Sequence, residues 1–160
     1  AEQGVLCRLA KGVYYKPVMT KFGVLMPDVQ EIVKAIARRD NAQVLPTGET
    51  AANLLGLSTQ VPMNYVYLTS GSARKIMVGK KTVTFKRCVP KNFACQNEFL
   101  AVLIQAMKAI GQERLTDGHC VVIKGLLMKH LPIESLDADM KNAPLWVRRM
   151  VYKIIKEIGV

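Results

Sequence analysis

Apolar residues recur along this chain with two different periods, and the changes between them mark its elements. In "PDVQEIVKAIARRDN" the apolar positions Val29, Ile32, Val33 and Ile36 fall three and four apart, one stripe of a helix. Asp28, just after Pro27, is placed to cap that helix, and Arg38 and Arg39 suit its negative C-terminal end. Before it, "GVLCRLAKGVYYKP" reads as two strands around Lys11 and Gly12. Gly12 supplies the positive φ of a tight hairpin turn and Pro17 stops the second strand. A loop holding Gly23 then leads to the helix. "AQVLP" is a short buried strand halted by Pro46, followed by a short helix that Gly56 closes as a C-cap.

Period two returns in "YVYLT", "RKIMV" and "KTVTFKR", separated by Ser70, Gly71 and Ser72 and by Gly79 and Lys80. Lys75, Met77, Thr82, Thr84 and Lys86 alternate against Ile76, Val78, Val83 and Phe85, which predicts an antiparallel meander with one wet, basic face. From Asn97 onward the period is helical throughout. "NEFLAVLIQAMKAIG" runs from a capping Asn97 to Gly111, and "TDGHCVVIKGLLMKHL" follows. After a short piece around "IESLDADMK" comes "APLWVRRMVYKIIKEI". In this last helix Leu145, Met150, Ile154 and Ile158 are expected inward, with Arg148, Arg149, Lys153 and Lys156 elsewhere. Trp146 and Tyr152 suit packing at the core edge better than reading a base or partner. The fold class is α+β: an N-terminal β-hairpin, a small mostly antiparallel sheet with helices, and a C-terminal helical bundle.

Charge adds a direction to this outline. The chain has 160 residues with 23 Lys and Arg against 12 Asp and Glu, net +11. The excess is concentrated in the middle third, where a positive field suggests an anionic partner, most simply nucleic acid, nucleotide or an acidic protein, against the plainer reading of lysines that keep the chain solvated. Arg74, Lys75, Lys80, Lys81, Lys86, Arg87 and Lys91 fall within eighteen residues that contain no acid. On a twisted hairpin several of them must share one face or rim, a candidate phosphate-binding surface beyond what edge protection requires. No apolar run is long enough to span a bilayer, and the opening residues do not read as a signal peptide. Cys7, Cys88, Cys95 and Cys120 form no C-x-x-C pair, so a reduced, cytoplasmic chain is expected, with no membrane partner.

Signals for catalysis are weak. Gly71, Ser72, Ala73 and Arg74 resemble the start of a nucleotidyltransferase site, but such a site needs an Asp-x-Asp pair on a following strand. That strand reads Thr82, Val83, Thr84. Asp137 and Asp139 have the spacing but lie in a helical segment, where residues two apart diverge, as on a solvated helix face. His119 and His130 would stand about 16 Å apart along one helix, too far to share a metal. A hairpin turn therefore accounts for the Gly-Ser signal. No enzyme, no metal and no cofactor is expected.

One longer motif is more specific. The run P-x-G-x-x-A-A-N-x-L-G-L-S-T-Q-V-P over residues 46–62, followed by V-Y-L-T-x-G and K-R, resembles the AbiEi-like antitoxins of type IV toxin–antitoxin systems. The likeness is close over residues 8–91 and looser beyond 97. It implies an N-terminal winged-helix domain, here represented by a wing hairpin over residues 1–20, and an antitoxin domain over 21–160. The latter divides into an α/β part, 21–96, and a helical part, 97–160. It also implies repression of its own operon through operator DNA in the intact protein. Neutralisation of a nucleotidyltransferase-type toxin, generally without a stable complex, is implied as well. Arg8, Lys11 and Lys16 on the wing would then add contacts to the DNA backbone. Within the motif, Gly48, Asn53, Gly56, Ser58, Thr59, Gln60 and Pro62 lack ionisable groups and read as a joint whose polar side chains satisfy backbone groups. The alternative is an interaction or oligomerisation module that uses the C-terminal helices.

Overall fold

The computed structural model describes residues 7–10, 12–16, 18–25, 28–88, 90–131 and 133–159. The chain forms two compact units, the first from residues up to Val44 with Met63–Cys88, the second from Leu45–Pro62 with the residues after Cys88. The architecture is α+β, with an antiparallel hairpin, a mixed sheet and a helical C-terminal part.

In the first unit β1 (Cys7–Ala10) and β2 (Val13–Tyr15) pair antiparallel, and Gly12 turns between them at φ 73°. Lys11 and Pro17, assigned to this hairpin from the sequence, lie outside the described residues. A second hairpin, β3 (Val18–Thr20) and β4 (Gly23–Leu25), stands where the sequence led us to expect only a loop. Its strands are too short to show a period, and its turn lacks the usual Asn-Gly signature. The Thr20 hydroxyl supplies the missing chemistry, donating to the Gly23 carbonyl at 2.8 Å and accepting from the Phe22 amide at 3.2 Å.

Helix α1 (Val29–Asp40) starts where Asp28 accepts a hydrogen bond from the Gln30 amide and ends at Asn41 in the left-handed region. Its buried residues are Val29, Ile32, Val33 and Ile36, the stripe seen in the sequence. At its end Arg39 donates through Nη1 to the Gly12 carbonyl at 2.7 Å, which ties the first hairpin to the helix.

Strands β5 (Val44–Pro46), β6 (Asn64–Thr69), β7 (Arg74–Val78) and β8 (Lys81–Arg87) form one sheet in the order β5-β6-β8-β7. The last strand in sequence thus lies between its predecessors, parallel to β6 and antiparallel to β7. The three strands are therefore not the antiparallel meander that their spacing predicts. Ser70, Gly71 and Ser72 have hairpin composition, yet they carry the chain past the end of β8 rather than back along β6. Contacts with the exit of α1 hold this link. The Ser70 amide donates to the Gln43 carbonyl at 3.0 Å, and the Gln43 amide donates to the Ser70 hydroxyl at 2.8 Å. A Cβ on Gly71 would stand 3.1 Å from that of Ala42, so the approach is close. The α1 stripe packs with Val13, Tyr65, Tyr67, Ile76, Val78, Val83 and Phe85 in one core, at about 1.5–3 kcal/mol for each large apolar side chain removed from water.

In the second unit α2 (Glu49–Leu54) packs on α3 (Glu98–Ile110). Helices α4 (Asp117–His130), α5 (Leu136–Met140) and α6 (Leu145–Ile158) complete it. Leu100, Leu103, Ala106 and Met107 of α3 are fully enclosed, which makes α3 the central helix. The buried side of α6 is Val147, Val151, Ile154 and Ile155, whereas Leu145 is 53% exposed. Of the inward set expected from sequence, Ile154 is buried and Met150 and Ile158 are half-buried. Two overlapping apolar stripes run along this helix, and packing against α3 and α4 selects the β-branched one. Among the described residues no helix is long and apolar enough to cross a membrane.

Tyr67, 3% exposed, buries its hydroxyl without a hydrogen-bond partner among the described residues. Burial is the main cause that pushes its pKa up to about 12, with Tyr65 and Asp28 adding to it. A raised tyrosine pKa stabilises the fold below pH 10, the unfolded value, and that stability is lost as pH rises towards 12. Replacing Tyr67 with Phe is expected to leave the Tm unchanged or raise stability by about 1 kcal/mol. The loss of stability between pH 10 and 12 should also become shallower, as followed by urea unfolding. A lower Tm would show that the hydroxyl is paired.

Candidate functional site

The pleat of β7 and β8 divides the basic residues of the middle third. Residues paired across adjacent strands project to the same side of a sheet. Lys75 pairs with Thr84 and Lys86 with Leu68, on the side opposite the core, together with Met77 and Thr82. Lys75 and Lys86 are exposed diagonal neighbours on adjacent strands, about 7–8 Å apart at the backbone. Exposed Lys80 follows Gly79 in the hairpin turn. Among the described residues none of these three lysines forms an ion pair.

The other members point elsewhere. Arg74 pairs with Phe85, Lys81 with Val78 and Arg87 with Thr69, all on the core side. Lys81 places Nζ 5.7 Å from the centre of the Tyr65 ring, a cation–π contact of about 0.5–1 kcal/mol. Arg74 is half-buried, with Nη1 enclosed and without a hydrogen-bond partner among the described residues. Arg87 is exposed at the end of its strand. Arg8 is exposed on β1, which lies against β7, and Lys16 is exposed just after β2. Lys11 and the Lys91 side chain lie outside the described residues. The structure therefore brings Lys75, Lys80 and Lys86 to one side and its rim, and leaves Arg74 and Lys81 on the other. A wider sequence signal surrounds them: no Asp or Glu occurs between Glu49 and Glu98.

The polar motif is occupied with its own backbone. Gly48 precedes α2 at φ 61° and Gly56 follows it at φ 75°. The Asn53 side-chain amide donates to the carbonyls of Ser58 and Gln60, at 3.5 and 2.7 Å. The Ser58 hydroxyl accepts from the Gln60 amide at 3.3 Å. Thr59 and Gln60 are exposed and Pro62 is half-buried.

Asp139 departs from the solvated helix face read from its spacing. It is 1% exposed, and its carboxylate accepts from the Gln96 amide at 2.8 Å, the Asn97 amide at 2.9 Å and the Ser135 hydroxyl at 2.8 Å. Asp137 instead accepts a short hydrogen bond from the Tyr152 hydroxyl. The two carboxylates have separate partners. Beside Asp139, burial pushes the Cys95 thiol up; the Asp139 charge adds to the shift and a hydrogen bond with Asn142 opposes it. Cys88, Cys95 and Cys120 are free.

His119 accepts from the Thr116 amide at 3.1 Å through Nδ1, completing a capping box, and His130 stacks on Phe99 with centroids 4.2 Å apart. Among the described residues no group of three His, Cys, Asp or Glu is arranged to hold a metal. No sequence pattern would have exposed the Asp139 clasp, because its amide partners lie more than forty residues away.

A family model matches residues 1–136, so it takes in both hairpins, the mixed sheet and α2 to α4. The chain belongs to a family of unknown function, DUF6088. No curated protein and no solved structure matches it. Within this family member, the basic sheet surface and the polar motif lie inside the matched residues, whereas Asp139 and α6 lie beyond them.

Truncation at Asp139 should be costly. Asp139→Ala is expected to destabilise the protein by about 2–3 kcal/mol, since it takes the shared acceptor from two amides and a hydroxyl that are partly screened from water. Asp139→Asn, which keeps one acceptor oxygen, should lose less. Urea unfolding of both variants checks the order.

Proposed function

We propose that the chain is the antitoxin of a bacterial type IV toxin–antitoxin pair. It acts without catalysis and, in the intact protein, represses its own operon by binding operator DNA. The observation that carries the reading is the run over residues 46–62, whose resemblance to AbiEi-like antitoxins extends across residues 8–91. Its functional partner is then a nucleotidyltransferase-type toxin, neutralised without a stable complex. The phosphate-contacting surface we assign is the outer side of β7 and β8, with Lys75 and Lys86 at its centre and Lys80 at its rim. It is supported by the exposure of these cations and by the acid-free sequence around them. Arg74 and Lys81, committed to the core side, serve the sheet before they serve a ligand. The alternative, an interaction module built on the C-terminal helices, is favoured by one observation, the exposed Leu145 of α6.

Two experiments test this reading. In gel-shift titrations with duplex DNA, the Lys75→Glu/Lys86→Glu variant is expected to bind more weakly. The slope of log K against log salt should fall by about 1.8, close to 0.9 for each phosphate that the variant no longer neutralises. An unchanged slope removes the sheet surface from the reading. For the antitoxin activity, expression of the chain should restore growth to cells expressing a nucleotidyltransferase-type toxin encoded beside its gene. Continued toxicity in the presence of folded chain would refute it.

A further inference from the structure

Helix α6 carries a cationic surface separate from the one on the sheet. With Val147, Val151, Ile154 and Ile155 turned inward, Leu145, Arg149, Tyr152, Lys153 and Lys156 fall within about 100° of arc on the outside. Leu145 is 53% exposed and Tyr152 37%, and both are large apolar groups set among cations. Arg148 stands at one border of this arc, and Glu157 is the lone carboxylate of the helix. Two shallow grooves lie along this face. One, of about 810 Å³, extends over the ridge of α6 itself past Arg148, Arg149, Tyr152, Lys153 and Lys156; the other, of about 420 Å³, runs between Gln112, Trp146 and Met150, and both are bordered by Leu145. The Tyr152 hydroxyl is hydrogen-bonded to Asp137, which fixes the ring at the surface.

The chemistry of this face selects its occupant. A nucleic acid would use the cations but gains little from Leu145 and Met150, which offer nothing to a phosphate. A bilayer surface takes up a helix by its long apolar stripe, and that stripe is buried in the second unit. A second copy of the chain would set the same cations against each other in a two-fold interface, within a protein of net charge +11. Aromatic, Met and Arg side chains around an apolar centre are the composition of protein–protein interfaces. We propose that the outer face of α6 docks an acidic amphipathic helix of another protein. Its apolar side chains lie on Leu145 and Tyr152 and in the two grooves, and its carboxylates lie against Arg148, Arg149, Lys153 and Lys156. The eleven steps from Leu145 to Lys156 rise about 16 Å, so the docked element spans about three turns. The inference stands on α6 alone and does not depend on the antitoxin reading.

The test titrates the full chain with a fluorescein-labelled designed peptide, helical and amphipathic, with Glu on one side and Leu on the other. A scrambled peptide of the same composition and a single-stranded oligonucleotide serve as competing probes. The expected result is a Kd on the order of 10 μM for the amphipathic peptide, with amide shifts in nitrogen-15 spectra centred on α6. Arg149→Glu/Lys153→Glu should weaken binding at least about ten-fold and Leu145→Ser at least about three-fold. Lys75→Glu/Lys86→Glu should change peptide affinity less than about two-fold, which separates this face from the sheet. If the double variant fails to fold, the exposed Leu145→Ser substitution decides. Equal binding of the scrambled peptide overturns the proposal, since charge alone would then suffice. So does an oligonucleotide that binds and loses its affinity through the α6 variants, and so does absence of peptide binding.

Discussion

One buried carboxylate closes the helical unit. Asp139 receives the amides that precede α3 and the hydroxyl of Ser135, so the start of the central helix and the short α5 are held by a single side chain. An ionised group in such a place is tolerable only when its lone pairs are taken up, and here three donors converge on it. The position of α3 governs what α2 and α5 can pack against, and together with α4 it sets which side of α6 turns inward.

The first unit depends on the pleat in a comparable way. Alternation sends Lys75 and Lys86 to one side of the sheet and Arg74 and Lys81 to the other, although all four are close in sequence. Charge density along a chain therefore overstates the charge any one surface presents. The hairpin over residues 7–15 belongs to this same compact unit, with Val13 in its core and Gly12 bound by Arg39.

Local rules made much of the fold legible. The α1 stripe, its Asp28 cap, the spans of β7 and β8, and the Asn97 cap of α3 all rest on interactions within a few residues. What escaped was non-local or too short. The β3–β4 hairpin has three-residue strands, and the choice of stripe on α6 is made by its neighbours. The insertion of β8 between β6 and β7 depends on the pinning of Ser70 and Gly71 to residues 42 and 43. For the candidate site, the alternation of Lys75 and Lys86 against the core residues was visible in the period-two pattern. The cation–π contact of Lys81 and the burial of Asp139 were not, since each needs a partner brought by the fold.

The strand order has a consequence for synthesis. Because β8 is made last and fills the slot beside β6, the nascent chain emerges with β6 lacking its central neighbour until residue 87 has left the ribosome. By then residues 45–62, which belong to the other unit, have already been delivered and wait for α3. At about 5–20 residues per second, tens of residues of interleaved chain stay unpaired for seconds. The first unit is therefore complete in sequence once residue 88 has emerged, whereas the second must hold residues 45–62 in waiting for the chain that follows.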